Sequence, residues 1–292
     1  GGRGSGRQQD VAFGSMANEL QKASLYFASL VGSATAFSKV ISSFRELQKQ
    51  LVLTNSIAQG TAKQFKAMEK ALRDFALTSR FTATESGSAL YFLASAGFSV
   101  KESMEAMVGV LTLAQATLND VGETSDIVAS NIRAFGLEAS DASRISNVLA
   151  ATITKSQATL QKLGFAFRQV GPVAGVAGVA IETASAALGV LFNVGLRGEQ
   201  AGTALRNIIV RLINPVGKAR NIIGKLNLTV TDVQGNFIGL QNILKQLADK
   251  NLSDSTKALI AGTEALAGFN ALLVSVKSGN FAKLEKEGTG TA

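Results

Sequence analysis

Apolar residues recur along most of the chain at helical spacing. Thr61–Ser79 places Phe65, Met68, Leu72, Phe75 and Ala76 on one face, which predicts an amphipathic helix. Thr84 is placed to cap a helix running to Ala96. Ser99, with Glu102 three residues on, forms a capping box for the next. The same period predicts helices over Glu123–Phe135, Asp141–Lys155, Thr159–Val170, Glu182–Val194, Glu199–Ile213, Gln241–Asp249 and Ser255–Lys277. The stretch 10–60 has a looser pattern that is also helical, and 1–9, rich in Gly, Arg and Ser, has the composition of a flexible linker or the start of a fragment.

The joints repeat a local grammar. Gly97-Phe98, Gly136-Leu137, Gly178-Val179 and Gly195-Leu196 each pair a glycine with an apolar residue, and an acid follows four or five positions after the glycine. Glycine accepts the left-handed conformation that ends a helix, the apolar residue folds back on the last turn, and the acid sits at the next helix's N-terminus. The predicted fold is mainly α: a compact multi-helix domain of short helices joined by Gly turns over 61–226. A region of 227–292 follows, with C-terminal helices. One segment departs from the helical period. Leu228–Val233 alternates with period two, Gln234-Gly235-Asn236 offers a turn, and Phe237-Ile238 can return, so a small β-hairpin is expected over 228–238.

Composition narrows the chemistry. No Cys and no His occur, which excludes disulfides, thiolate zinc sites, cysteine nucleophiles and histidine-based triads. The glycine-lysine pairs Gly217-Lys218 and Gly224-Lys225 are followed by Ala219 and Leu226, not by the Ser or Thr of a phosphate loop. The acidic groups Glu102/Glu105 and Asp120/Glu123/Asp126 have helix-terminus and surface positions. No catalytic residue, metal or cofactor is assigned, and the chain is expected not to be an enzyme.

Hydrophobic residues make up 46% and charged residues 17%, and this apolar excess predicts burial in copies of itself, in partners or in lipid. Val170–Leu196 carries only Glu182 as a charge and holds Gly171 and Gly175 at the spacing of close helix contacts. Pro172 and Gly178 are expected to split it below the length of a membrane span, so it suits a buried helix pair; a membrane-inserting or pore-forming module built on 170–196 and 255–277 is the alternative. The charge is blocked. Residues 1–81 have 11 basic and 5 acidic residues (net +6), 82–149 have 3 and 8 (net −5), 150–225 have 9 and 2 (net +7), and 226–292 have 6 of each. Arg197, Arg206, Arg211, Lys218, Arg220 and Lys225 are candidate contacts for a polyanion such as DNA or for an acidic protein surface, without the interleaved aromatics that base stacking needs.

Over 61–286 the sequence resembles the core domain of phage tail tape measure proteins. The resemblance rests on Phe81–Phe98, Asn131-Ile132-Arg133-Ala134-Phe135-Gly136-Leu137, Val170–Ala174, Gly195–Arg206, Thr229–Phe237 and Gly262–Leu273, in that order. It implies a virion structural protein in the lumen or tip of the tail tube, made in the host cytoplasm. Such a protein guides tail assembly and length, and is released at infection to assist DNA passage through the cell envelope. The implied partners are further copies of itself, as a homotrimer or a hexamer with 170–196 and 255–277 among the buried contacts, the tail tube protein, tail-tip or baseplate hub proteins, tail assembly chaperones, and the host membrane and phage DNA during ejection.

Overall fold

A computed structural model describes residues 34–79 and 81–290. Among these, the chain forms fourteen α-helices and no strand. They are α1 (Ala34–Ile57), α2 (Ala62–Thr78), α3 (Ala83–Ser95), α4 (Val100–Thr117), α5 (Val121–Ala134), α6 (Ala142–Lys155), α7 (Leu160–Val176), α8 (Ile181–Asn193), α9 (Gly198–Ile213), α10 (Lys218–Lys225), α11 (Leu240–Ala248), α12 (Asp254–Ala261), α13 (Leu266–Lys277) and α14 (Asn280–Gly288). A single 3-10 turn, Ala139–Asp141, precedes α6. The mainly α expectation is met. The expected N-terminal segment is helical where described, as α1; its residues 10–33 lie outside the described residues.

The glycine joints explain why the helices are short. Gly97, Gly136, Gly178 and Gly195 have φ of +90°, +64°, +66° and +86°. At each, the next residue's N–H reaches back across the turn: Phe98 to Leu93 O at 3.1 Å, Leu137 to Ile132 O at 2.9 Å, Val179 to Ala174 O at 2.9 Å and Leu196 to Leu191 O at 3.2 Å. This is the six-residue closure that satisfies a helix's last carbonyls. Three further joints use the same geometry without glycine: Gln59, Leu118 and Asn227, at φ of +51°, +54° and +50°.

The chain divides into two units, residues 1–107 and 108–292. In the first, α1 lies along α3, where Gly87 brings the helices together: a Cβ there would fall 2.8 Å from Leu47 Cδ1 and 2.7 Å from Gln50 Oε1. The amphipathic α2 buries Phe65, Met68 and Leu72, and Phe75 stacks on Phe81 with ring centres 6.1 Å apart. The helix after it is capped by Thr82, not Thr84. Thr82 Oγ1 accepts from Glu85 N–H and Glu85 Oε2 accepts from Thr82 N–H at 2.8 Å, so the box that fixes the start lies two residues earlier than the pattern implied. The Ser99–Glu102 box forms as expected.

In the second unit α8 is central. Eleven of its residues are buried, and it packs on α6, α9, α13 and α14. The longest helix–helix contact is between α7 and α9. Gly198 and Gly202 of α9 lie against the α7 backbone at Lys162 and Ala166, so close that a Cβ on Gly202 would sit 2.3 Å from Ala166 O. Gly171 and Gly175 likewise bring α7 against Ala134 and Phe135.

Three expectations are overturned here. Pro172 does not split 170–196: it lies inside α7, which runs to Val176. Proline forfeits its own hydrogen bond, yet the packing of Gly171 and Gly175 on α5 holds the helix through it. The helix expected over 255–277 is two helices, α12 and α13, bent by 106°, because Gly262 takes φ of +93°. The β-hairpin over 228–238 does not form strands. The segment folds back, but only Thr231 and Phe237 bridge. Asp232 draws the N–H groups of Gln234 and Asn236 to its carboxylate at 2.9 and 2.8 Å, and Gln246 takes both Thr229 N–H and Thr229 O, so the pairing stops at two backbone bonds, Asp232 N–H to Asn236 O at 2.8 Å and Ile238 N–H to Val230 O at 3.0 Å. Two helices, α10 and α14, had no counterpart in the sequence reading.

Candidate functional site

The six candidate basic residues all belong to the second unit, on α9, on α10 and in the joint before α9. Arg197, Arg211, Lys218, Arg220 and Lys225 are exposed and Arg206 is half-buried on the flank of α9, whose other face buries Leu205, Ile208, Ile209 and Leu212. Two are positioned by neighbours: Arg220 Nε donates to Pro215 O at 3.0 Å, and the Arg211 guanidinium lies beside Gly262, where a Cβ would come within 3.1 Å of Nε. Among the described residues none of the six forms an ion pair. Their charge therefore faces outward uncompensated. Elsewhere cations do find acids: Arg144 holds Glu182, Lys155 holds Glu287 at 3.1 Å and Lys257 holds Asp254 at 3.2 Å.

The Arg144–Glu182 pair ties α6 to α8, with Glu182 buried and Arg144 reaching it from the surface. Glu182, in the first turn of α8, is 7% exposed, and Arg144 of α6 donates Nε to Oε1 at 2.7 Å and Nη2 to Oε2 at 3.0 Å. The Glu182 hydrogen bond raises the Arg144 pKa above its ordinary value, against the opposing effect of burial. On α14, Glu285 accepts from Thr183 Oγ1 and from Gln241 Nε2, the latter at 2.6 Å. These polar ties fasten α14 onto α6, α8 and α11. The sequence marked Glu182 as the one charge in an apolar stretch, but nothing local named its partner, 38 residues away.

A cleft of about 200 Å³ opens on the α5/α7 face, lined by Asp126, Ser130, Asn131, Arg168 and Pro172 among others. A second, of about 450 Å³, lies among α8, α13 and α14 beside the Lys155–Glu287 pair. Among the described residues no group of His, Cys, Asp or Glu is placed to hold a metal ion, and no single helix is long and apolar enough to cross a membrane. The apolar stretch 170–196 is spent on the unit's own core.

What the fold presents is helical surface: closely stacked short helices, a half-buried ion pair and a basic face on α9 and α10, the make-up of a structural or interaction module. The comparisons with known proteins say which. The profile of the phage-related minor tail protein family matches residues 69–268, and the chain belongs to that family of phage structural proteins. It is 34% identical over 250 residues to the tape measure protein of Pneumococcus phage Dp-1, covering 84% of this chain and 22% of that protein. It is 28% identical over 249 residues to the probable tape measure protein of Escherichia phage P2, covering 82% and 30%. The chain thus spans less than a third of the length of these curated relatives. No solved structure matches it.

Proposed function

We propose that this chain is a helical domain of a tail tape measure protein, carried in the tail lumen or at its tip. There it takes part in assembly and length determination, and it leaves at infection to assist DNA passage through the envelope. The observation that carries this reading is the similarity to the Dp-1 tape measure protein over 84% of the chain. A virion tail location follows from the family. The partners in this reading are further copies of the chain, as a homotrimer or hexamer, the tail tube protein, hub proteins and assembly chaperones, with the host membrane and DNA met during ejection.

The structure shapes the self-assembly part of the proposal. Since α8 is internal, copies would meet through side chains that remain outside, such as Val274 of α13, 68% exposed, and Val176 at the end of α7, 93% exposed. The uncompensated cations of α9 and α10 are the candidate contacts with an acidic wall or with DNA.

The test is quantitative mass spectrometry of tails purified from the phage that encodes the chain, before and after triggered DNA ejection. The reading expects the chain in intact tails at a fixed copy number that is a multiple of three, and its loss from emptied tails. Absence from intact tails would refute the assignment, and full retention after ejection would refute release.

A further inference from the structure

A groove of about 220 Å³ runs between α1 and α2 in the first unit. It is lined chiefly by Leu47 and Leu51 of α1 and by Phe65, Leu72, Ala76 and Leu77 of α2. Leu51, Phe65 and Leu72 are buried, while Leu77 stands 81% exposed. Its polar rim is self-contained, because Arg73 pairs with Glu69 at 3.5 Å. An apolar opening of several water volumes, at about 30 Å³ each, suits an apolar occupant.

The apolar track does not end with the groove. Phe37, Val40, Ile41 and Phe44 precede Leu47 and Leu51 at helical spacing, so α1 carries all six positions on one face, from its first turn to the groove. The neighbours of α1 do not run its whole length. It has 24 residues, about 36 Å, whereas α3, with 13, spans about 20 Å. Gly87 of α3 faces Leu47 and Gln50, and Gly60 faces Val100. The two helices therefore run the same way, and the first turns of α1 precede the start of α3.

The chain before α1, outside the described residues, has the matching sequence pattern. Met16, Leu20, Ala23, Phe27 and Leu30 recur at helical spacing, after Gly14-Ser15 and before Gly32-Ser33. Serine caps helix starts and glycine ends helices, so the pattern predicts a helix over 16–31, separated from α1 by a tight joint. Such a helix is about 24 Å long, and Leu47 lies about 20 Å along α1 from Ala34. Folded back at Gly32-Ser33, it brings Met16 and Leu20 within about a turn of the level of Leu47. So short a tether holds it at an effective concentration on the order of millimolar, which favours it over a segment from a second copy in dilute solution. We propose that residues 16–31 dock as an antiparallel helix in the α1/α2 groove of their own chain, with Met16 and Leu20 on Leu47, Leu51 and Leu77, and Phe27 and Leu30 along the start of α1.

The test uses the full chain, whose lack of cysteine makes a single introduced one unique. Lys70→Cys, exposed on α2 and next to the groove residue Glu69, carries a nitroxide spin label. The methyl signals of isotope-labelled methionine are recorded by NMR, with Met16 assigned through Met16→Leu. In dilute solution the Met16 signal should lose most of its intensity. It should keep that intensity when the nitroxide is carried only by other copies, without the isotope, mixed into the sample. Leu20→Asp, or Leu77→Gln at an exposed position, should restore the Met16 signal, while Met68, in α2 itself, stays broadened and reports that helix intact. An unbroadened Met16 signal, or broadening that survives Leu20→Asp, would overturn the proposal. So would equal broadening in the mixed sample, which would mark a second copy as the occupant.

Discussion

Gly202 offers a sharp test of how the second unit is packed. Placing a methyl group there, Gly202→Ala, puts Cβ at 2.3 Å from Ala166 O, 2.7 Å from its Cα and 2.9 Å from its carbonyl carbon. These are backbone atoms, so no side chain can swing away, and ordinary contact begins near 3.4 Å. The helices must separate by about 1 Å, enough to forfeit a quarter to a half of the dispersion attraction across the contact. Overpacking of this kind costs about 3 kcal/mol at the upper end of its usual range. Alanine returns about 1 kcal/mol through its better helix propensity, which leaves a net loss of about 2 kcal/mol. For a unit of this size that is a fall of roughly 4–8 °C in Tm. Differential scanning calorimetry, with the two units' transitions resolved, measures it. The same change at Gly224, helical and with open space around its Cβ position, should stabilise by about 0.5–1 kcal/mol. If Gly202→Ala is as stable as the parent, α7 and α9 are not packed backbone to backbone and the reasoning fails.

Other consequences follow from single features. Arg144→Ala removes the partner of the buried Glu182 carboxylate but, because Arg144 lies at the surface, lets water reach it, and should cost about 1–2 kcal/mol by urea denaturation. Gly136→Val, at φ of +64° with nothing nearby, should cost more than about 1 kcal/mol from backbone strain alone; an unchanged Tm would mean the joint adopts another conformation. Leu118, 92% exposed at φ of +54°, carries the same strain, so Leu118→Gly should raise stability by about 0.5–1 kcal/mol in a melting experiment. Asp232's carboxyl is held below its ordinary value of 3.8, first by the Asn236 side chain and then by backbone N–H groups. A lowered folded pKa gives a contribution present above the unfolded value and lost as pH falls through the folded one. The 228–238 turn should therefore stay intact at neutral pH and loosen only in acid below that value. A carbon-detected NMR titration showing Asp232 at or above 3.8 would contradict this.

The sequence carried the helices whose signals are local. An apolar stripe with a capping box or a glycine joint announces itself within a few residues, as Thr61–Ser79 and the Gly97, Gly136, Gly178 and Gly195 joints do. What it misjudged depended on distant partners. Pro172 looks like a breaker until Gly171 and Gly175 are seen against Ala134 and Phe135. The alternation of 228–233 looks like a strand until Gln246, seventeen residues on from Thr229, takes its backbone groups. The break at Gly262 was legible but outweighed by the apolar run around it. Of the candidate site residues, the cations on α9 and α10 could be named from charge patterning. The Arg144–Glu182 pair could not, because it arises only when α6 and α8 meet.

The central claim, that this chain is a helical tape measure domain of the tail, is tested most directly by cryo-electron microscopy of the intact tail of the encoding phage. The account predicts density in the lumen or at the tip into which α5–α14 fit as one helical unit, with α8 at its centre. Density for this unit on the outer surface of the tail, or a lumen and tip that hold no such helical unit, would contradict it.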